Sequence, residues 1–147
     1  MTDLQPIEAY VPHRGTMLLL HRLIAVDEDH AVAEVEVPLD GPFARAGGTP
    51  AWVGLEFMAQ TIAAWSGARE ARAGRPPCLG YLLGSRRYAT TRPAYPAGST
   101  LRVEVRCEFL DDKGFGQFDC RILLGDESVS TALVSVFEPP VAAEPQP

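Results

Sequence analysis

The chain has 147 residues, 46% hydrophobic and 22% charged, a composition that fits one globular domain with its own core. Its formal net charge of −6 argues against a nucleic-acid partner, because affinity for phosphate depends on clustered cations and the arginines here are scattered among acidic residues. The sequence has neither the pattern of a secretory signal nor an apolar run long enough for an easy membrane span, so we expect a cytoplasmic protein.

Three cysteines, Cys78, Cys107 and Cys120, lie within apolar runs and lack the spacing of metal ligands. An odd number of cysteines at such positions indicates buried free thiols rather than a disulfide framework or a zinc site. We therefore expect neither a metal nor a cofactor.

The first part of the chain predicts two strands and a loop. The apolar segment Met17–Val26 fits a strand, and 32–37 alternates strictly, which is the period-two pattern of a strand with one solvated face. The glycine- and alanine-rich loop from Asp40 to Thr49 leads directly into the next element. Its backbone therefore lies near the positive end of a helix, which is a favourable position for a site.

The stretch 50–74 predicts one long helix, which begins at Pro50 and ends at Gly74 before two prolines. Its residues are apolar on nearly all sides, which indicates a buried helix. Glu56 is set deep in this apolar surface, and Gln60 follows one turn later, where it can orient the carboxyl group. We weigh a functional role for Glu56 above that of a hydrogen-bonded core group.

Four further strands are predicted at 78–91, 99–110, 115–124 and 128–137. Gly80 and Gly84 indicate bends or close backbone contacts in the first of them. Tight turns join the last three strands into an antiparallel meander. We expect one domain over residues 1–138 and a flexible tail over 139–147, which has too little apolar surface to order itself.

Two strands, a long buried helix and four strands joined mainly by tight hairpins predict an α+β protein. In this arrangement, the hotdog fold, a curved antiparallel β-sheet wraps one long central helix. Three segments of the sequence carry a further resemblance: 11–14 followed by 17–22, Pro50 through Glu56 to Gln60, and Gly80 through Arg92-Pro93 to Gly98. In order and spacing they resemble the 3-hydroxyacyl-acyl-carrier-protein dehydratases of fatty-acid synthesis, and more closely their relatives in bacterial aryl-polyene pigment clusters.

This resemblance implies a lyase that dehydrates a 3-hydroxyacyl thioester, carried on the phosphopantetheine of an acyl carrier protein, to the trans-2-enoyl thioester. In the family a histidine removes a proton from the carbon beside the carbonyl, and a helix carboxylate protonates the leaving hydroxyl. Backbone amides at the helix start polarise the carbonyl. Glu56 matches the acid, and burial favours the protonated form that this role requires. Family members form dimers in which the sheets join and each site draws residues from both subunits.

The position of the family's catalytic histidine is occupied by Pro42, which has no side chain that accepts a proton. We predict His13 as the replacement base and interpret His21 and His30 as surface or hydrogen-bonded loop residues. Asp40 and Thr49, which flank the same loop, are the next candidates, although Asp40 fits a turn residue better.

The resemblance also implies residues that bind the substrate and the carrier protein. The predicted substrate-binding residues are Pro42, Phe43, Thr49, Ala51 and Trp52. Bulky aromatic residues on a buried helix usually belong to the core, so Trp52 and Trp65 are interpreted that way, although Trp52 can also line an acyl tunnel. Arg86, Arg87 and Arg92 form the local cation cluster at which an acidic carrier protein is expected to dock.

Because the base is missing from its family position, two alternatives remain. The chain can be the base-lacking subunit of a heterodimer with another hotdog subunit, rather than one half of a homodimer. It can also be a hotdog acyl thioesterase, in which an acid activates water against the carbonyl and no histidine is needed.

Overall fold

The computed structural model describes residues 4–76 and 80–139, so Cys78 and residues 140–147 of the predicted tail lie outside the described part of the chain. Within these ranges one α-helix, α1, spans Gly54–Arg72, and short 3-10 helices span Ile7–Ala9, Gly15–Met17 and Ala51–Val53. The strands are β1 (Arg22–Val26), β2 (His30–Glu36), β3 (Thr49–Pro50), β4 (Tyr81–Thr90), β5 (Ala94–Tyr95), β6 (Thr100–Leu110), β7 (Phe115–Leu124) and β8 (Glu127–Phe137).

Six of the strands form one antiparallel sheet in the order β1-β2-β6-β7-β8-β4, and β3 pairs with β5 in a separate two-stranded sheet. Helix α1 packs against the large sheet, and the aromatic rings of Trp65 and Phe118 meet edge to face with centroids 5.3 Å apart. Residues at alternate positions of β6, such as Val103 and Val105, are buried against the helix, while the residues between them face solvent. This arrangement confirms the predicted α+β fold with one long helix wrapped by an antiparallel sheet.

The first strand is shorter than the sequence predicts. Residues Gly15–Met17 form a 3-10 turn, and β1 begins only at Arg22. The cause is a side chain of the helix: Gln60 accepts a hydrogen bond from the Leu19 N–H (2.9 Å) and donates one to the Met17 carbonyl (2.7 Å). Backbone groups bonded in this way are satisfied without a neighbouring strand.

The helix begins later than predicted, because Pro50 starts a 3-10 turn over Ala51–Val53 and α1 follows at Gly54. A Cβ atom on Gly54 would clash with the hydroxyl groups of Tyr88 and Tyr95. Glycine at this position therefore lets the helix start lie directly against the buried Tyr95 and the partly buried Tyr88.

Strand β4 is an edge strand that pairs with β8 on one side. Its register shifts at Gly84, where the sequence predicts a bend, and again between Arg86 and Ala89. Arg87 lies in this second bulge with a φ of 55°, in the left-handed region that non-glycine residues rarely adopt. The irregular edge carries three exposed apolar side chains, Tyr81, Leu82 and Leu83.

Two cysteines lie in the described part of the chain, and both are free thiols, as predicted. Cys120 is buried and Cys107 half-buried, and desolvation raises the pKa of each thiol above its usual value. Within the described ranges no helix is long and apolar enough to cross a membrane.

Candidate active site

Glu56 lies in the first turn of α1, on a side of the helix that is only partly covered. Its side chain is 36% exposed in the isolated chain, so the prediction that the carboxyl group is set deep in the apolar surface is wrong. Ala59 and Ala63 are also only partly buried, because they lie three and seven residues after Glu56, on the same side of α1. Helix α1 is therefore buried on most of its surface but not all round.

Gln60 fixes the orientation of Glu56. Its side chain is completely buried, and its Nε2 lies 3.1 Å from Glu56 Oε1. The amide oxygen of Gln60 already accepts the Leu19 N–H, so its NH2 group must face the carboxyl group and the Met17 carbonyl. Since Oε1 of Glu56 accepts a hydrogen bond from Gln60, a protonated Glu56 carries its proton on Oε2.

The structure brings His13 and Glu56 together, with His13 Nε2 3.9 Å from Glu56 Oε1. This distance is too long for a direct hydrogen bond, but an oxygen atom can lie within hydrogen-bond distance of both groups. Arg14 holds the loop that carries His13, because its guanidinium donates to the carbonyls of Glu8, Val11 and His13 itself.

Burial of the His13 imidazole lowers its pKa, and this effect outweighs the opposite influence of Glu56, while nearby Arg14 adds to the lowering. The ring is therefore neutral at neutral pH and can accept a proton. Its Nδ1 is buried and has no hydrogen-bond partner among the described residues.

Glu56 and His13 line one cavity of about 150 Å³, which we call the Glu56 cavity. Helix residues Ala59 and Ala63 form part of its wall. Ile62 of the same helix and Pro12, next to His13, also contribute, and the rest comes from distant parts of the chain: Gly80, Tyr81, Leu82, Val136 and Glu138. Sequence reasoning missed the residues from 80 onward, because only the pairing of β4 with β8 brings them to the helix.

The loop at the family's histidine position lines a different cavity of about 270 Å³, which we call the Pro42 cavity. Phe43, Thr49 and Phe57 share it, whereas neither Glu56 nor His13 is among the described residues that line it. Within this chain, the loop and Glu56 therefore line different cavities. Successive residues of an α-helix point about 100° apart, so Phe57 faces the loop while Glu56 faces the other cavity.

The helix start differs from the prediction at Trp52. Trp52 is 62% exposed and packs edge to face on Phe43, with centroids 6.1 Å apart, so its interpretation as a core residue is wrong, whereas Trp65 is buried as predicted. The buried Ala51 donates its N–H to the Pro93 carbonyl (2.9 Å), so this amide is already satisfied within the chain.

The other histidines occupy surface positions. His21 is exposed, and its Nδ1 accepts the Glu36 N–H at 3.0 Å. His30 Nδ1 lies 3.7 Å from Asp27 Oδ2. His21 is therefore a hydrogen-bonded surface residue and His30 a surface residue beside a carboxylate, in agreement with their interpretation from the sequence.

The three arginines predicted to bind the carrier protein differ in their exposure and in the carboxylates near them. Arg86 and Arg87 are exposed on β4, but Arg87 shares a surface depression with the carboxylates of Glu108 and Asp119. Arg92 is half-buried, and its guanidinium lies 3.7 Å from Glu127. In the described part of the chain no group of three or more histidine, cysteine or acidic side chains is placed to hold a metal ion.

A curved sheet around one helix, with an amide-held carboxylate near the helix start, defines a hotdog protein with an acid-bearing site. The family model of the ApeP-like proteins, described as ApeP dehydratase, matches residues 5–146, and the chain belongs to this family of dehydratases.

Individual relatives agree with this assignment. The 3-hydroxyacyl-[acyl-carrier-protein] dehydratase FabZ of Chloroflexus aggregans is 31% identical over 147 residues, which cover 95% of this chain and 99% of the relative. A chain in the solved dehydratase heterocomplex ApeI:P from Xenorhabdus doucetiae superposes with a TM-score of 0.87 at 32% identity, over 95% of this chain and 94% of the other.

More distant structures share the fold alone. A hypothetical thioesterase with coenzyme A from Streptococcus pneumoniae TIGR4 superposes with a TM-score of 0.62 at 13% identity, over 80% of this chain and 84% of the other. This likeness supports the hotdog fold and does not favour thioesterase chemistry.

Proposed function

We propose that the protein takes part in the dehydration of a 3-hydroxyacyl thioester, carried on an acyl carrier protein, to the trans-2-enoyl thioester. The observation that carries this proposal is the Glu56 cavity, in which an amide-oriented carboxyl group and a neutral imidazole face the same space. The family to which the chain belongs and the printed activity of its FabZ relative support the same reaction.

Glu56 is the general acid in this proposal. Gln60 occupies Oε1, so Oε2 is the atom that delivers a proton to the departing hydroxyl of the substrate. The Trp52 amide is the candidate group for polarising the thioester carbonyl, since the Ala51 N–H is already bonded to Pro93 and the Gly54 N–H to the Ala51 and Trp52 carbonyls.

His13 is the candidate base within this chain. Its Nε2 is close enough to Glu56 for one substrate to contact both groups, and its lowered pKa keeps it ready to accept a proton. Accepting at Nε2 requires that Nδ1 carries the other proton, and the chain provides no acceptor for it among the described residues. Because this acceptor is missing, His13 is a less favourable candidate for the base, and a base supplied by another chain is a stronger one.

A second candidate function is therefore the acid-bearing subunit of a two-subunit dehydratase. Three observations favour it: Pro42 and Glu56 line different cavities, Glu56 is partly uncovered, and the edge strand beside the Glu56 cavity exposes Tyr81, Leu82 and Leu83. A hotdog partner that covers this edge can bring a histidine to Glu56. The related ApeI:P structure is a heterocomplex.

The decisive experiment measures dehydration of a 3-hydroxyacyl carrier-protein substrate by the purified protein, alone and with a histidine-bearing hotdog partner. Glu56→Gln should lower the rate by roughly 10²–10⁴-fold, the usual contribution of general acid catalysis. Glu70→Gln is the matched control, because Glu70 is on the same helix but pairs with Arg75 outside the Glu56 cavity.

The outcomes separate the candidates. Activity of the chain alone that is lost in His13→Ala supports a complete site, whereas activity only with the partner supports the two-subunit site. Release of free thiol from a saturated acyl thioester, without dehydration, would identify a thioesterase instead. A Glu56→Gln variant as active as Glu70→Gln would remove Glu56 from the mechanism.

We propose that the acyl carrier protein docks at the arginine cluster formed by Arg86 and Arg87 on β4 and Arg92 just after it. Arg86 is the strongest candidate there, because Arg87 and Arg92 have carboxylates close by. Arg86→Glu should raise the KM for a carrier-protein substrate while leaving the KM for a small pantetheine thioester unchanged. An equal effect on both substrates would exclude Arg86 from docking.

A further inference from the structure

The second bulge of β4 changes the face of the sheet on which Tyr88 lies. Before the bulge Arg86 pairs with Leu133, and after it Ala89 pairs with Thr131, so two residues of β4 lie opposite one residue of β8. In a regular strand Tyr88 would lie on the same face as the exposed Arg86, because side chains alternate. The extra residue turns Tyr88 toward the helix instead, where it packs against the buried core.

The backbone beside Tyr88 is strained. Arg87, the preceding residue, has a φ of 55° and is the one non-glycine residue with a positive φ in the described part of the chain. Residues with a side chain disfavour this conformation, which persists only where the surrounding structure holds it, and such strain is concentrated at functional sites. Its effect here is the direction of the Tyr88 side chain, so the contacts of that side chain indicate the role of the bulge.

The Tyr88 hydroxyl donates a hydrogen bond to the Ala51 carbonyl at the helix start. Gly54 makes this contact possible, because a Cβ atom there would lie 2.6 Å from that hydroxyl. The hydroxyl of Tyr95 lies 3.4 Å from the same carbonyl but 2.7 Å from Ser130 Oγ. Since O–H···O hydrogen bonds are normally about 2.5–3.0 Å long, Tyr95 bonds to Ser130, and Tyr88 is the side chain that holds the carbonyl.

The Ala51 carbonyl belongs to the same peptide group as the Trp52 N–H, the candidate group for polarising the thioester carbonyl. No peptide bond in the described ranges is cis, so this N–H points in the direction opposite to the carbonyl, away from Tyr88. Trp52 is exposed and precedes Glu56 by four residues, about one helical turn. A hydrogen bond accepted by the carbonyl also polarises the N–H of the same peptide group, because the two share one resonance system.

We propose that Tyr88 is a positioning residue for the dehydration: by holding the Ala51 carbonyl, it fixes the direction of the Trp52 N–H and strengthens this group as a donor to the thioester carbonyl. The inference rests on the proposed function, in which the Trp52 amide contacts the substrate. Tyr88 itself does not touch the substrate and acts through one peptide group. The strained bulge of β4 delivers its hydroxyl to that group.

Infrared spectroscopy of a bound thioester measures this polarisation directly. The probe is a saturated acyl N-acetylcysteamine thioester, isotope-labelled at the carbonyl carbon, which cannot be dehydrated because it lacks the 3-hydroxyl group. Its carbonyl stretching frequency should be higher when bound to Tyr88→Phe than when bound to the wild type, because a weaker donor leaves more double-bond character in the carbonyl. Each protein is measured alone and with the histidine-bearing hotdog partner.

The kinetic expectation is a decrease in kcat with little change in KM. Tyr88→Phe should lower kcat by roughly threefold to tenfold, which is less than the about 10²–10³-fold loss expected when a whole donor is removed. Tyr95→Phe is the matched control, because it removes a hydroxyl of the same network that bonds to Ser130. It should leave the probe frequency and kcat close to those of the wild type.

The outcomes distinguish this inference from the proposed function. An unchanged probe frequency in Tyr88→Phe, or equal effects of Tyr88→Phe and Tyr95→Phe, would overturn the inference, and a loss of dehydration in Glu56→Gln would still support the function. If Glu56→Gln remains active, the function fails, and the probe frequency still tests Tyr88 because it does not depend on turnover. If Tyr88→Phe does not fold, the wild type decides: the Trp52 amide proton resonance should shift when the probe binds, and a resonance that does not move contradicts the inference.

Discussion

The Nε2 atom of Gln60 lies 3.1 Å from Oε1 of Glu56, and the same amide group bonds to the backbone of Met17 and Leu19. One completely buried side chain therefore joins the acid, the helix and the segment before β1. The orientation of the carboxyl group is a consequence of how the N-terminal segment packs on α1.

Replacement of Gln60 should affect both stability and catalysis. Gln60→Ala removes a buried side chain and leaves the Leu19 N–H without its partner, so we expect the free energy of unfolding to fall by about 2–5 kcal/mol. Urea denaturation measures this loss. Gln60→Glu keeps the size but loses the NH2 group, and it should lower kcat more than it raises KM. A catalytic rate in Gln60→Glu equal to that of the wild type would show that Glu56 needs no orienting partner.

The lowered pKa of His13 predicts how stability changes with pH. The unfolded chain has an ordinary histidine, near 6.5, and binds a proton at a pH where the folded His13 does not. Its contribution to stability is therefore complete above the unfolded pKa and is lost as pH falls through 6.5 toward the folded pKa. Between about pH 7.5 and about pH 5.5, the wild type should lose more unfolding free energy than His13→Asn does. Unfolding free energies are measured by denaturation with guanidinium chloride at both pH values. If the wild type and His13→Asn lose the same amount, the result would contradict the burial of the imidazole.

Gly67 sets the distance between the N-terminal segment and the helix. A Cβ atom there would clash with the backbone of Tyr10, three residues before His13. Gly67→Ala should lower the free energy of unfolding by about 1–3 kcal/mol, because overpacking outweighs the better helix propensity of alanine. Calorimetric unfolding provides the measurement. Gly47→Ala is the control, since nothing lies within 4 Å of its added Cβ, and it should be nearly neutral.

The hydroxyl of Tyr95 belongs to a buried network under the helix start. It lies 2.7 Å from Ser130 Oγ and 3.4 Å from the Ala51 carbonyl, and burial raises its pKa. Tyr95→Phe should cost about 1 kcal/mol of stability. In a double-mutant cycle with Ser130→Ala, the two substitutions should be coupled by about 0.5–3 kcal/mol, measured by denaturant unfolding. Additive effects would mean that the two hydroxyls do not interact.

Much of the fold was predictable, because the spacing of apolar and polar residues along a strand or helix indicates which of its faces is buried. The alternation in β6, the tight turns of the meander and the apolar stretch around Glu56 each depend on neighbours close in sequence. The prediction for β1 was wrong at its start, because Gln60, some forty residues away, supplies hydrogen bonds that a strand partner would otherwise provide. A hydrogen bond between a side chain and the backbone of a distant segment does not appear in the spacing of apolar and polar residues along the sequence.

The sequence by itself determined the type of fold, the helix that carries Glu56 and the absence of a proton acceptor at Pro42, since these follow from residue types and their spacing. Only the tertiary structure decided that Glu56 and Pro42 line different cavities and that His13 lies beside the acid. It also decided that Trp52 is exposed and that Thr49 has no partner among the described residues. The physical reason is that the direction of a side chain on a helix and the cover it receives depend on packing between distant segments.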